Sequence, residues 1–100
     1  MVSKVSEITV EDVAEYIRVD DYEKGDIETY LNIAKSYISG YTGIPVTGEE
    51  GDSLDDYPDF VIVVYILCQD MYDNRALYVD KSNINRVVQT ILDMHTRNNL

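Results

Sequence analysis

The strongest constraint on the fold is a stretch of 19 residues, from Asp59 to Leu77, that contains neither glycine nor proline. It includes nine consecutive apolar residues, Phe60 to Cys68, several of them β-branched. An apolar run alone fits a buried strand as well as a buried helix, but an unbroken stretch of 19 residues is too long for a typical strand. Because Pro58 also suits a first helical turn, the stretch predicts a helix at the buried centre of the fold.

The N-terminal segment carries the signature of a short helix that begins at Thr9. Asp12 follows three residues later, and each of the two side chains can satisfy a backbone N–H group that the first turn leaves without a partner. One apolar stripe then continues to about Arg18. We therefore predict a short helix with a single apolar face.

A longer helix is predicted after the acidic link at Asp20 and Asp21, because apolar residues recur there at the three-and-four spacing of a helical face. These residues are Ile27, Tyr30, Leu31, Ala34, Tyr37, Ile38 and Tyr41. Gly43 can adopt the left-handed conformation that ends a helix, and Pro45 prevents its continuation.

The last segment predicts a fourth helix, capped by Ser82 or Asn83. Its predicted apolar face consists of Ile84, Val87, Val88, Ile91, Leu92 and His95. Before the third helix, residues 46–56 carry two glycines and five acids, which predicts a solvated loop. Together the four segments predict one all-α domain over residues 1–100, a small bundle of about four helices.

Charge is unevenly distributed along the chain. There are 19 acidic and 8 basic residues, and the net charge is -11. Residues 1–59 hold 15 of the acids and 4 of the bases, so the acidic surplus is confined to that part of the sequence. A protein of this sign is disfavoured as a ligand of the nucleic-acid phosphate backbone.

The length of the apolar run and the single cysteine indicate in which cellular compartment the protein is expected. The nine-residue run is shorter than the roughly 20 residues that span a bilayer. Cys68 is the only cysteine, so no disulfide can form within the chain. We expect a soluble protein made in a reducing cytoplasm.

Residues that commonly carry catalytic chemistry are scarce. The chain has one histidine, one cysteine and no glycine-rich phosphate loop. Cys68 is expected to be a small core residue, and His95 to pack at the end of the fourth helix. The acids from Glu49 to Asp56 lack the spacing of a calcium loop. We predict no enzymatic activity, no cofactor and no metal site.

Tyrosines are the candidates for contacts with partners. The chain has nine tyrosines and no tryptophan, and tyrosine is favoured at protein interfaces. Those of the second helix either fill the core or form an exposed stripe that binds a partner. Tyr72 and Arg75 share one face of the third helix. Arg75 either hydrogen-bonds the free carbonyls of its own helix or reaches a carboxylate of a neighbouring subunit.

Three segments, taken in order, resemble the head–tail connector proteins of long-tailed bacteriophages, also described as small DNA-packaging or head-completion proteins. They are ITVEDVAEYIRVD near the N-terminus, IETYLNIAKSYISGYTG in the middle, and MYDNRA followed by a terminal helix ending in HTR. The resemblance extends from Ile8 to Arg97. The sequence departs from the family at Met71, where the family has tryptophan, and in its ending, which is less basic.

The resemblance implies a non-enzymatic structural protein of the virion. Such proteins form a ring beneath the portal, complete the head after packaging and extend the DNA channel towards the tail. The implied partners are further copies of the chain, the portal protein and a downstream head-completion or tail-completion protein. DNA would pass without specific binding, and no membrane is involved. The implied location is the head–tail junction of the virion, after synthesis in the bacterial host cytoplasm.

We expect Tyr72, Asn74, Arg75 and Arg86 to contribute to the interface with a second subunit or a partner. An alternative reading is an acidic regulator that mimics DNA and occupies a basic groove of a host protein. In that case the negative charges should cover one continuous face.

Overall fold

The computed structural model describes residues 2–47, 53–80 and 83–96, and within these ranges it contains helices and no strand. α1 spans Val10–Ile17, α2 spans Lys24–Thr42, α3 spans Asp59–Asn74 and α4 spans Arg86–His95. Short 3₁₀ helices lie at Val5–Glu7 and Leu54–Asp56. The predicted all-α bundle of about four helices is confirmed.

The start of α1 and the end of α2 follow the local signals that predict them. The Thr9 hydroxyl accepts a hydrogen bond from the Asp12 N–H at 3.1 Å, and the Asp12 carboxylate accepts one from the Thr9 N–H at 3.0 Å, which is the expected capping box. Gly43 ends α2 in the left-handed region, with φ at 80°, and its N–H donates to the Ser39 carbonyl at 2.9 Å.

α3 is the buried centre of the bundle, as predicted. α1, α2 and α4 all pack against it. Its fully or almost fully buried residues are Phe60, Val61, Val63, Val64, Leu67, Cys68 and Met71. A helix that is buried on most of its circumference has a continuous apolar run in its sequence. This explains why α3 lacks the three-and-four spacing of apolar and polar residues that is typical of a surface helix.

α3 ends three residues earlier than the predicted limit at Leu77. Arg75 adopts the left-handed conformation, with φ at 51°, and the Ala76 N–H donates to the Met71 carbonyl at 3.0 Å. That bond closes the helix in the way a C-terminal glycine usually does. As a result Leu77 lies outside the helix and is 63% exposed.

α4 begins at Arg86, and its cap is Asn85. The Asn85 side-chain oxygen accepts from the backbone N–H groups of Val87 at 2.8 Å and Val88 at 3.4 Å. The predicted cap Asn83 is therefore wrong, and the alternative, Ser82, lies outside the described residues. The predicted apolar face also needs correction, because Val88 is fully buried whereas Val87 is 52% exposed.

The prediction of a solvated loop before α3 is wrong for its second half. Leu54 is fully buried, and its N–H donates to the Pro45 carbonyl at 3.0 Å. The Asp55 carboxylate accepts hydrogen bonds from the Ser6 N–H at 2.8 Å and the Ser6 hydroxyl at 2.7 Å. The burial of Leu54, which stabilises by roughly 1.5–3 kcal/mol, acts together with these hydrogen bonds to hold the short segment against the core. Residues 48–52 lie outside the described ranges.

In the described part of the chain, no helix has the length and apolarity needed to cross a membrane.

Candidate subunit interface

The C-terminal end of α3 presents Arg75 to solvent. The backbone N–H of Arg75 donates to the Tyr72 carbonyl at 3.3 Å, so capping is done by the main chain. Within the residues that the structure describes, the Arg75 guanidinium makes no hydrogen bond and no ion pair. Side-chain capping of the free carbonyls, one of the two predicted roles of Arg75, is therefore absent from this conformation.

Arg75 and Tyr72 line the same surface depression, as their shared helix face predicts. Its volume is about 410 Å³, and it lies between the end of α3 and the start of α2. The other lining residues are Asp21, Tyr22, Glu23, Asp26, Ile27 and Tyr30. A single guanidinium thus lies among three carboxylates and three tyrosine rings of its own chain.

Asn74 and Arg86, the other two predicted interface residues, lie elsewhere. The Asn74 side-chain amide donates to the Asp70 carbonyl at 2.9 Å, one turn earlier in α3, and Asn74 lines a second depression together with Asp70, Tyr78 and Asn83. Arg86 is exposed at the first position of α4. The structure therefore brings together two of the four predicted residues and separates the other two from them.

Four large apolar side chains are exposed after α3, among them Val87, which the sequence predicts on the apolar face of the fourth helix. Leu77 is 63% exposed, Tyr78 64%, Val87 52% and Met94 68%. Leu77 and Tyr78, together with Val79, face Ile33 and Tyr37 of α2 across a shallow groove of about 510 Å³. Solitary exposed apolar residues are common on soluble proteins, but neighbouring ones mark interaction surfaces.

The tyrosines of α2 combine the two predicted alternatives. Tyr30, Tyr37 and Tyr41 are all half-buried and pack against the core, yet Tyr30 and Tyr37 each line one of the surface depressions. Tyr41 donates a hydrogen bond to the Asp93 carboxylate and accepts one from the Gln89 side chain. The hydrogen bond to Asp93 raises the pKa of the Tyr41 hydroxyl. This contact joins the end of α2 to α4.

His95 is partly buried at the end of α4, as predicted, and it is also bonded to the start of α3. Its Nε2 lies 2.8 Å from Oδ2 of Asp59, and its ring packs against those of Tyr57 and Phe60 at centroid distances of 4.9 and 5.2 Å. The hydrogen bond with His95 lowers the pKa of the Asp59 carboxyl. Sequence spacing could not reveal this pair, because the two residues are far apart in the chain.

Cys68 and the acidic residues before α3, whose side chains could in principle carry chemistry, have structural roles. Cys68 is fully buried, and that burial raises the pKa of its thiol to about 12, which leaves it without the thiolate character of a nucleophile. In the acidic segment before α3, Asp55 and Asp56 both accept backbone hydrogen bonds. Across the described ranges, no group of three or more His, Cys, Asp or Glu residues is arranged to hold a metal ion.

Negative charge is concentrated on α1, the start of α2 and the residues beside them. Eight exposed acids lie within residues 7–28, and the exposed bases in the same range are Arg18 and Lys24. The acids are Glu7, Glu11, Glu15, Asp20, Asp21, Glu23, Asp26 and Glu28. The exposed apolar side chains of residues 77–94 therefore belong to a different part of the chain from the acidic surplus.

Comparison with protein-family models, with curated proteins and with solved structures found no match for this chain.

Proposed function

We propose that this chain is a structural virion protein that forms a ring adaptor between the portal and the tail of a long-tailed bacteriophage. The ring would complete the head after packaging and extend the DNA channel. The proposal draws on the resemblance of three ordered segments to head–tail connectors, and it assigns the chain no enzymatic activity. It takes as partners further copies of the chain, the portal protein and a downstream completion protein.

The observation that carries the proposal is the exposure of Leu77, Tyr78, Val87 and Met94. These four side chains are each more than half exposed, and they fall within a segment of 18 residues that includes all of α4 except His95. Neighbouring exposed apolar side chains mark interaction surfaces, and a subunit of an assembly buries them against a neighbour. The exposed apolar surface therefore favours a protein whose working state is an oligomer.

The acidic surface at residues 7–28 is appropriate for the wall of a channel, because DNA must pass through the channel without binding to it. Phosphate groups are repelled by carboxylates, and a basic wall would instead bind them and slow their passage. We therefore propose that the part of each subunit that contains α1 faces the channel. The near-neutral segment after α3 is then available for contacts between subunits.

Mixing the purified protein with the portal protein of the same virus, followed by negative-stain electron microscopy, tests the proposal. We expect rings either in images of the protein alone or stacked on the portal in the mixture. Met94→Ser should reduce the number of rings. Glu7→Gln serves as the matched control, because Glu7 is exposed and lies outside the apolar segment. Monomers alone in both conditions would overturn the proposal.

A DNA mimic is the second candidate, and the eight exposed acids within 22 consecutive residues favour it. Such a protein would bind a basic, non-specific DNA-binding protein of the host, and added salt would weaken the complex. A stoichiometric complex with that protein, displaced by duplex DNA, together with a monomeric free state, would select the mimic over the connector.

A further inference from the structure

α4 exposes an apolar stripe made of Val87, Ile91 and Met94. These positions follow the i, i+4, i+7 spacing that places side chains on one side of a helix. Val87 is 52% exposed, Met94 is 68% exposed and Ile91 is half-buried between them. Arg86, which is exposed, precedes the stripe at the first position of the helix. This surface is here called the α4 stripe, and of its three residues Ile91 also packs against the core.

α2 and the segment after α3 form a surface that matches the stripe in chemistry and length. The groove between them is lined by Ile33, Tyr37, Leu77, Tyr78 and Val79, together with two small polar residues of α2. From Val87 to Met94 the stripe extends about 10 Å along its helix, and the α2 wall from residue 32 to residue 37 extends about 8 Å. The two surfaces are therefore of similar length.

The stripe and the groove face different directions on one molecule. Gln89 and Asp93 bond to Tyr41, and they define the side of α4 that faces α2. With 3.6 residues per turn, the centre of the stripe lies roughly 150° around the helix from that side. One copy therefore cannot cover its own groove with its own stripe. A contact between the two surfaces must join different copies.

Charge gives this contact a direction. Arg86 lies at the first position of α4, and no other residue of that helix is a lysine or an arginine. Glu28 is exposed on α2, one turn before Asn32, which lines the groove. Placing the Arg86 end of the stripe at the Glu28 end of the groove pairs opposite charges and runs the two helices parallel.

We propose that the α4 stripe of one copy lies in the groove of the next copy, with Arg86 beside Glu28 of that copy. The contact rests on the proposed ring function and specifies how its subunits meet. It is heterologous, so an open chain of copies keeps one free stripe at one end and one free groove at the other until the ring closes.

Cysteine cross-linking of mixed variants tests the contact. Met94→Cys and Tyr78→Cys are prepared separately, mixed, allowed to assemble and oxidised, with native Cys68 retained because it is fully buried. A cross-linked dimer is expected from the mixture and from neither variant alone. Glu11→Cys, at an exposed position of α1, replaces Tyr78→Cys in the control mixture and is expected to give no dimer.

Charge reversal tests the direction of the contact. Arg86→Glu is expected to raise the concentration at half-assembly by about five-fold, since attraction is replaced by repulsion at an exposed pair. Glu28→Arg should do the same, and the variant that carries both changes should recover most of the loss. A double variant that assembles worse than either single variant would overturn the pairing.

The remaining outcomes separate the contact from the function. Rings that form without a mixed cross-link overturn the contact and leave the ring function standing. A dimer formed by either cysteine variant alone indicates a symmetric contact and also overturns it. A protein that stays monomeric in every mixture, with and without the portal, overturns the ring function and the contact together.

Discussion

Replacing Arg75 by glycine is expected to stabilise the fold while weakening assembly. Arg75 ends α3 at a φ of 51°, a conformation that costs a residue with a Cβ atom roughly 1–2 kcal/mol. Glycine removes that cost, but it also gives the unfolded chain more conformational freedom. This entropy lowers the free energy of unfolding by about 0.4–1 kcal/mol. The net gain lies between about 0 and 1.6 kcal/mol, with its centre at about 0.8 kcal/mol. No further loss is expected, because the Arg75 side chain makes no hydrogen bond or ion pair in the described chain.

Thermal unfolding followed by circular dichroism measures this gain, which should raise the Tm by about 2–8 °C for a domain of this size. Arg18→Gly is the matched control, because Arg18 is exposed and ends α1 in the same left-handed conformation, at a φ of 68°. Both variants should be stabilised, and Arg75→Gly alone should lower the ring yield if Arg75 reaches a carboxylate of a neighbouring subunit. A lowered Tm for Arg75→Gly beside a raised Tm for Arg18→Gly would refute the reasoning.

Three further outcomes are expected. Leu54→Ala should destabilise the fold by about 2–5 kcal/mol in urea unfolding, and Leu77→Ala by no more than about 0.5 kcal/mol, because the first side chain is fully buried and the second is 63% exposed; equal losses would contradict the burial of the segment before α3. The lowered pKa of Asp59 means that the folded state binds its proton less tightly than the unfolded state, so this stabilisation is present above pH 3.8 and is lost as pH falls through the lower, folded pKa. Asp59→Asn should therefore lower stability at neutral pH and flatten the acid limb of the stability profile, and an unchanged acid limb would refute the pair with His95. The Cys68 thiol, with a pKa raised to about 12, should resist a water-soluble disulfide reagent at neutral pH until the protein is unfolded, whereas rapid labelling of the native protein would contradict its burial.

The parts of the fold that sequence predicts best are those set by neighbouring residues. The Thr9 and Asp12 capping box and the glycine that ends α2 act within a single turn, so their geometry follows from residue type and spacing. The centre of α3 follows from length, since an unbroken stretch through the apolar run cannot fit a typical strand. In each of these cases the local preference and the tertiary packing agree.

The errors occur where several residues offer the same local signal or where an uncommon conformation is used. Ser82, Asn83 and Asn85 are all residue types that cap helices well, and the structure uses Asn85. The end of α3 was missed because arginine rarely adopts the left-handed conformation that Arg75 takes there.

The candidate interface was predictable only in part, because a groove depends on which elements pack side by side. Tyr72 and Arg75 line one depression as their spacing predicts, although Arg75 itself lies just past the end of α3. The approach of Leu77 and Tyr78 to Tyr37 requires the segment after α3 to return along α2, and no local pattern encodes that return. The exposure of Val87 likewise depends on how α4 is rotated against α3, which the apolar spacing alone leaves open between adjacent faces.

The solution mass of the protein tests the central proposal most directly. Light scattering across a concentration series, with and without the portal protein, should show the mass rising from the 11.5 kDa of one chain to a plateau at a single fixed multiple. Such a plateau at three or more copies is the signature of a closed ring, since a symmetric dimer saturates at two. A mass that stays at 11.5 kDa under both conditions, or one that grows without limit, would contradict the account.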